Sequence, residues 1–184
     1  EGKTAVLNFA SYKEPGGGFI YGSMAQEEAL CHKSFLYNVL KEYDTSYYKW
    51  NRGQLCKGLY TDRALYTPSV LFFESDNKIE CDVITCAAPN YSVGRIYGTV
   101  SKEENSKALK QRIEFVLKIA SLNHVETLIL GAYGCGVFQQ DPNEVANLFL
   151  ELLDQYKFKN VIFAIPNSSS DNYKAFHQKL STLK

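Results

Sequence analysis

Short, wholly apolar runs alternate along this chain with longer segments in which apolar residues recur every three or four positions. The short runs predict buried β-strands, at residues 4–10, 70–73, 81–86, 127–130 and 161–165. The spaced apolar residues predict amphipathic helices, over residues 26–43, 109–122, 141–156 and 171–180. Residues 44–67 fit neither pattern and are predicted to be a long irregular excursion.

Apolar strands that alternate with amphipathic helices are typical of a mostly parallel sheet with helices on both faces. We therefore expect a single α/β domain over residues 1–184, built in three layers. In such a domain the ligand crevice lies beyond the carboxyl ends of the strands. The segments that follow the predicted strands are therefore the first places to look for chemistry.

Charge and cysteine content exclude several classes of protein. Lys+Arg and Asp+Glu each total 20, so the formal net charge is +0 and no broad field favours nucleic acid or an anionic membrane. No apolar run approaches the ~18 residues of a membrane span. The five cysteines and three histidines show no zinc-ligand spacing, so we expect neither a metal site nor a cofactor, and reduced thiols in the cytoplasm.

The first candidate segment contains three consecutive glycines after the first predicted strand: Gly16, Gly17 and Gly18. Glycines permit positive φ and expose backbone N–H groups, which suits an anionic or phosphate-bearing ligand. Taken alone, the same residues are equally consistent with a tight structural loop.

The second candidate is formed by Gln26, Glu27 and Glu28 at the start of the next predicted helix. Carboxylates are common in a first helical turn because they complement the helix dipole, so the pair has an ordinary structural explanation as well. Neighbouring helical residues point about 100° apart, and the two carboxylates therefore cannot act on one atom. One could hold a sugar hydroxyl while the other transfers a proton, which together with the glycine loop indicates a phosphorylated sugar.

The third candidate is residues 131–138, between an apolar strand and a capped helix. Gly134 and Gly136 would let the backbone approach a diphosphate near the helix that opens at Asp141. Gln139 occupies the place of the third glycine of a dinucleotide-binding pattern, and no Walker A loop is present. Cys135 could be a nucleophile, but no histidine is near it in the sequence, and a small packing residue is the better interpretation.

These segments together resemble the macrodomain family, specifically the microbial-type poly(ADP-ribose) glycohydrolases. The triple glycine followed by Gln-Glu-Glu is the specific part of the resemblance, which spans nearly the whole chain. The matching blocks are residues 7–11, 15–18, 26–28 and 131–138, with lesser blocks at 36–37, 66–68 and 88–90. The resemblance implies a three-layer α/β/α macrodomain with a central mixed, mostly parallel sheet that binds ADP-ribose at its carboxyl edge.

The resemblance also implies roles for individual residues. Glu28 would be the catalytic acid, and Glu27 would orient a ribose hydroxyl; the implied reaction is glycosidic hydrolysis through an oxocarbenium-like state. The remaining implied ligand contacts with the diphosphate and distal ribose are Gly16, Gly17, Gly18, Gln26, Gly134, Cys135, Gly136, Val137 and Phe138.

Two departures from the family pattern lie beside these loops. Glu14 stands where relatives often carry Asn, and Gln139 where they usually carry Gly. The chain also starts at Glu1, almost at the family's second strand, so we expect an upstream segment, which could include a membrane anchor, to be absent from it. Within the chain we expect no membrane contact and no direct nucleic-acid binding.

Two functions are therefore in competition. The first is a hydrolase that releases ADP-ribose from poly- or mono-ADP-ribosylated targets, with an ADP-ribosylated protein as a partner. The alternative is a non-catalytic sensor that binds ADP-ribose or an ADP-ribose conjugate, as the ligand-reading part of a nucleotide-signalling effector in bacterial defence. The intact Gln26, Glu27 and Glu28 favour the first; the changed loop neighbours favour the second.

Overall fold

One five-stranded sheet organises the protein, whose computed structural model describes residues 2–181. The strands are β1 (Thr4–Phe9), β2 (Ala64–Glu74), β3 (Asn77–Cys86), β4 (Thr127–Leu130) and β5 (Asn160–Phe163). They lie in the order β2-β3-β1-β4-β5. The pairs β3–β1, β1–β4 and β4–β5 are parallel, whereas β2 and β3 form an antiparallel hairpin, so the sheet is mixed and mostly parallel.

Helices cover both faces of this sheet. They are α1 (Gln26–His32), α2 (Leu36–Glu42), α3 (Lys49–Arg52), α4 (Tyr91–Ile96), α5 (Lys102–Leu122), α6 (Pro142–Leu153) and α7 (Asp171–Leu180). Side chains alternate between the faces along β1: Ala5 and Leu7 pack in a core with α5, α6 and α7, while Val6 packs in a second core with α1 and α2. The predicted three-layer α/β architecture is confirmed.

The structure differs from the sequence prediction where long-range contacts determine the bounds of a helix or a strand. The helix predicted over residues 26–43 is interrupted, because Ser34 forms a β-bridge with Phe72 and its hydroxyl accepts the N–H of Leu36 at 3.1 Å. The strand predicted at residues 70–73 begins earlier, at Ala64, since an edge strand tolerates Pro68 through an adjacent bulge.

The segment predicted as irregular is also partly ordered. It contains a turn of π-helix, Asp44–Tyr48, which runs directly into α3 and places the buried rings of Tyr47 and Tyr48 in the second core. Only residues 53–63 between α3 and β2 lack a regular element. None of the helices within residues 2–181 combines the length and apolar character needed to cross a membrane.

The core packing gives a direct test of the layer assignment. Leu117 is fully buried on the inner face of α5, whereas Leu122 at the end of the same helix is 68% exposed. We expect Leu117→Ala to lower the free energy of unfolding by about 2–5 kcal/mol, because it leaves a cavity between helix and sheet. Leu122→Ala is the control and should change it by less than about 0.5 kcal/mol; equal losses in a denaturant titration would contradict the assignment.

Candidate active site

A cavity of about 510 Å³ opens at the carboxyl edge of the sheet, where β1, β3 and β4 end. The segments that line it are far apart in sequence, and this agrees with the expected position of a ligand crevice. The lining residues are Phe9, Ala10, Ser11, Lys13 and Glu14 after β1, Gly17, then Ala25, Gln26, Glu27 and Glu28 at α1, Tyr60, Ala88, and Ala132, Gly134, Gly136, Val137 and Phe138 after β4.

The amide of Gln26 joins the start of α1 to the end of β1. Its Oε1 accepts the N–H of Phe9 at 2.8 Å, and its Nε2 donates to the carbonyl oxygen of Leu7 at 2.9 Å. The side chain thus pairs with the backbone of β1 as a neighbouring strand would. This fixed junction places the next two helical residues, Glu27 and Glu28, beneath the loop that follows β1.

The carboxyl group of Glu27 is 3% exposed and already has two partners. Its Oε1 accepts from Nδ2 of Asn8 at 3.1 Å, and its Oε2 accepts from the N–H of Ser11 at 2.6 Å. Burial raises the pKa of Glu27 to about 8; the nearby charge of Glu28 adds to the rise, and the bonds from Ser11 and Asn8 oppose it. Glu27 is therefore mostly neutral at pH 7.

Glu28 is buried as well but is less engaged. Its side chain is 7% exposed, and its Oε1 accepts the N–H of Gly18 at 2.7 Å. Within residues 2–181, its other oxygen, Oε2, has no hydrogen-bond partner. Of the two carboxyl groups, Glu28 thus keeps one oxygen free for a ligand, whereas the protein itself uses both oxygens of Glu27.

Gly17 makes room for these two carboxyl groups. A Cβ atom at this position would lie 2.5 Å from Oε1 of Glu28 and 3.1 Å from Oε2 of Glu27, and its φ of +59° is unfavourable for other residues. Gly16 instead faces the ring of Tyr37, and neither Gly16 nor Gly18 lines the cavity. Of the three predicted loop glycines, the structure brings only Gly17 into the pocket.

The second glycine loop forms the opposite wall. Gly134 has φ +76°, and a Cβ there would lie 2.8 Å from Cβ of Ala88, whereas the Cβ position of Gly136 is open. Within residues 2–181, no acceptor faces the backbone N–H groups of Gly136, Val137 and Phe138. Three such groups in a row are suited to binding an anion.

Cys135 does not line the cavity; its side chain packs against the core. Burial raises the pKa of its thiol to about 12, so the thiol is not an activated nucleophile. Among residues 2–181, no group of three or more histidine, cysteine, aspartate or glutamate side chains could hold a metal ion.

Sequence reasoning missed part of the lining. Phe9 is the last residue of β1, and Ser11 and Lys13 follow it closely, so their place at a strand end was an available signal. Tyr60, from the irregular excursion, carried no such signal. Of the two departures from the family pattern, Glu14 lines the cavity, whereas Gln139 does not line it and adopts φ +57°.

Comparison with known proteins indicates the same kind of protein as the geometry of the site. The family model for the catalytic domain of microbial-type poly(ADP-ribose) glycohydrolase matches residues 1–75. No curated protein matches the chain. The poly(ADP-ribose) glycohydrolase of Deinococcus radiodurans, solved in complex with ADP-ribose, is 37% identical, with a TM-score of 0.91 over 100% of this chain and 78% of that one.

A second solved relative is the poly(ADP-ribose) glycohydrolase of Thermomonospora curvata bound to the inhibitor ADP-HPD. It is 34% identical to this chain, and the match, with a TM-score of 0.86, covers 96% of this chain and 70% of the other. Likeness of this extent defines the class of protein. The chain belongs to the poly(ADP-ribose) glycohydrolase family of the microbial type.

The raised pKa of Glu27 predicts a pH dependence of stability. The folded protein holds an extra proton between about pH 4.5 and about pH 8, so this group makes stability fall as pH rises through that range. Glu27→Gln mimics the neutral carboxyl, and we expect it to unfold at a higher temperature than the unaltered protein at pH 8. Exposed Glu42→Gln is the charge-matched control.

The comparison is made by thermal unfolding between pH 5 and pH 8. Other groups titrate in this range, so the informative quantity is the difference in slope between Glu27→Gln and Glu42→Gln. Identical slopes for the two variants would contradict a protonated, buried Glu27.

Proposed function

We propose that the protein binds ADP-ribose units in this pocket and hydrolyses the glycosidic bond that joins the terminal ribose to the rest of a poly- or mono-ADP-ribosylated substrate. The observation that carries the proposal is the pair of buried carboxyl groups beneath one glycine loop, of which only Glu28 has a free oxygen. The family's solved relatives, with ADP-ribose or ADP-HPD bound, support the same ligand.

The diphosphate is assigned mainly to the second glycine loop. In the first loop the N–H groups of Gly17 and Gly18 are already bonded, to the carbonyl of Glu14 and to Glu28. The second loop offers the N–H groups of residues 136–138, which have no acceptor among the described residues 2–181. The first loop therefore shapes the pocket and holds the acid, and the second supplies the donors for negative charge.

The charge of the lining agrees with this assignment. Among the described lining residues, Lys13 is the one basic side chain, whereas Glu14, Glu27 and Glu28 are acidic. Because the raised pKa keeps Glu27 mostly neutral at pH 7, the pocket holds one negative charge fewer near a bound diphosphate. Backbone donors, rather than a cluster of cations, then have to hold the anion.

The proposed reaction uses the free oxygen of Glu28. In its protonated form, Glu28 donates its proton to the leaving oxygen as the bond to the ribose C1″ breaks, and the resulting carboxylate takes a proton from the water that attacks this carbon, which regenerates the acid. Glu27 is held in place by Asn8 and Ser11, and because each carboxyl oxygen has a second lone pair, it can accept a further bond from a ribose hydroxyl while it keeps both partners. The positive charge that develops on the ribose in the transition state would lie next to these carboxyl groups.

Replacement of the acid tests catalysis. We expect the unaltered protein to release ADP-ribose from ADP-ribosylated protein or polymer, and Glu28→Gln to be slower by about 10²–10⁴-fold, because it keeps the shape but cannot transfer the proton. ADP-ribose affinity should change little. Release is followed by chromatography of the free nucleotide; ADP-ribose binding without turnover of any substrate would overturn the hydrolase and favour a sensor.

A substitution in the second loop tests the binding mode. Since a Cβ at residue 136 meets no atom within 4 Å and the backbone is not left-handed there, Gly136→Val leaves the fold intact but fills space beside the anion donors. We expect a loss of ADP-ribose affinity of about tenfold or more, measured by calorimetry. Gly17→Val is less informative, because its side chain would displace Glu27 and Glu28.

The matched control is Gly98→Val, at an open glycine in a loop that does not line the cavity. Its φ of +58° makes it the more strained of the two substitutions, so any general cost of a valine should be greater there. Normal affinity in a folded Gly136→Val protein would show that the diphosphate does not approach this loop.

A further inference from the structure

The irregular segment between α3 and β2, residues 53–63, brings one aromatic ring to the active-site cavity. That ring belongs to Tyr60, which lines the cavity together with Phe138 and Ala88. The neighbouring residues of the segment do not line it. Tyr60 is thus the single side chain that this segment directs into the site.

The backbone on both sides of Tyr60 is firmly held. The carbonyl of Gly58 accepts the N–H of Asn90 at 2.8 Å, and Gly58 lies so close to that residue that a Cβ would be 2.8 Å from its carbonyl oxygen. On the other side, the hydroxyl of Thr61 is 2.7 Å from the hydroxyl of Tyr12. These contacts tie the segment to the ends of β3 and β1.

A buried cation adds the third attachment. Arg112 of α5 is 1% exposed, and its Nε donates to Oδ1 of Asp62 at 2.6 Å. Its Nη2 donates to the carbonyl of Leu59 at 3.3 Å, and its Nη1 donates to the carbonyl of Ala87. One guanidinium group thus joins Leu59 and Asp62, the residues on either side of Tyr60 and Thr61, to the segment after β3.

The conformation that results is unfavourable for a tyrosine. Tyr60 has φ +61°, in the left-handed region that bulky side chains rarely occupy. Such strain persists only where the surroundings over-determine the backbone, and it is concentrated at functional sites. The contacts from Asn90, Tyr12 and Arg112 supply that constraint.

The surroundings of the ring indicate which part of a ligand it contacts. Tyr60 stacks on Tyr12, with centroids 4.2 Å apart and planes 11° apart, so one face is covered. It meets Phe138 at 6.0 Å and 66°. A planar base between two rings needs them parallel and ~7 Å apart, at van der Waals contact on each side. The two rings instead form a corner, which fits a puckered sugar ring.

We propose that Tyr60 is a binding residue for the terminal ribose of the ligand and that Arg112 is the residue that positions it. The inference rests on the proposed function, because it is Glu27 and Glu28, in the same cavity, that mark where the reacting ribose lies. The apolar corner of Tyr60 and Phe138 packs against the carbon side of that sugar, while the carboxyl groups bind its polar side.

Calorimetry with ADP-ribose and with ADP, which lacks the terminal ribose, tests the proposal. We expect Tyr60→Ala to weaken ADP-ribose binding about tenfold or more, as truncation of a packed aromatic does, and ADP binding by less than about threefold. Tyr60→Phe keeps the ring and should restore most of the lost affinity. Tyr97→Ala, a 73% exposed tyrosine outside the cavity, is the matched control.

The outcomes are distinct. Unchanged ADP-ribose affinity in Tyr60→Ala, or an equal loss for both ligands, would overturn the role of Tyr60 and leave the proposed function intact. If the unaltered protein binds neither ligand, the proposed function fails, and this inference fails with it.

The positioning role of Arg112 is tested through its partially exposed partner. Asp62→Asn keeps an acceptor oxygen but weakens the ion pair, so we expect a smaller loss with the same preference for ADP-ribose over ADP. In a Tyr60→Ala background, Asp62→Asn should weaken ADP-ribose binding by less than about a further twofold. The reason is that the effects of two residues on affinity do not add when one acts through the other. A fully additive loss would show that Asp62 and Arg112 stabilise the fold without positioning Tyr60.

Discussion

The active site depends on the burial of two adjacent carboxyl groups beneath the loop that follows β1. A buried carboxylate without partners is costly, and the structure meets this cost differently for each group. Glu27 receives bonds from Asn8 and Ser11 and keeps a proton up to about pH 8, whereas Glu28 receives the N–H of Gly18. The first glycine loop is therefore required by the carboxyl groups themselves, before any ligand is considered.

The two glycine loops use their backbone N–H groups differently. The loop at residues 16–18 is turned inward: its donors satisfy protein acceptors, and Gly17 leaves space for Glu27 and Glu28. The loop at residues 134–138 lines the cavity, and the N–H groups of residues 136–138 have no acceptor within residues 2–181. On the proposed function, the proton-transfer group and the anion site lie side by side without a cluster of basic side chains, which agrees with a chain whose formal net charge is +0.

The sequence predicts the features of this structure that depend on local patterns, but not those that depend on contacts between distant residues. The strands and the three-layer fold follow from apolar runs that have to be buried on both faces of a sheet, whereas glycines, carboxylates and the family resemblance together predict about half of the pocket lining. The break at Ser34 depends on a bridge to Phe72, far along the chain. The position of Tyr60 depends on Arg112, 52 positions later in the sequence, and no local pattern encodes that contact.

The buried and exposed parts of the pocket wall have different consequences for specificity. Glu27, Glu28 and Gly17 are constrained from several directions, so the chemistry at the ribose tolerates little change. Glu14 and Val137 also line the cavity, but their side chains are 61% and 81% exposed. Substitutions at these exposed positions are expected to alter the opening of the cavity without disturbing a core. On the proposed function, we expect selection among polymer, protein and small conjugates to depend on these rim residues, because they would change without altering the proposed role of Glu28.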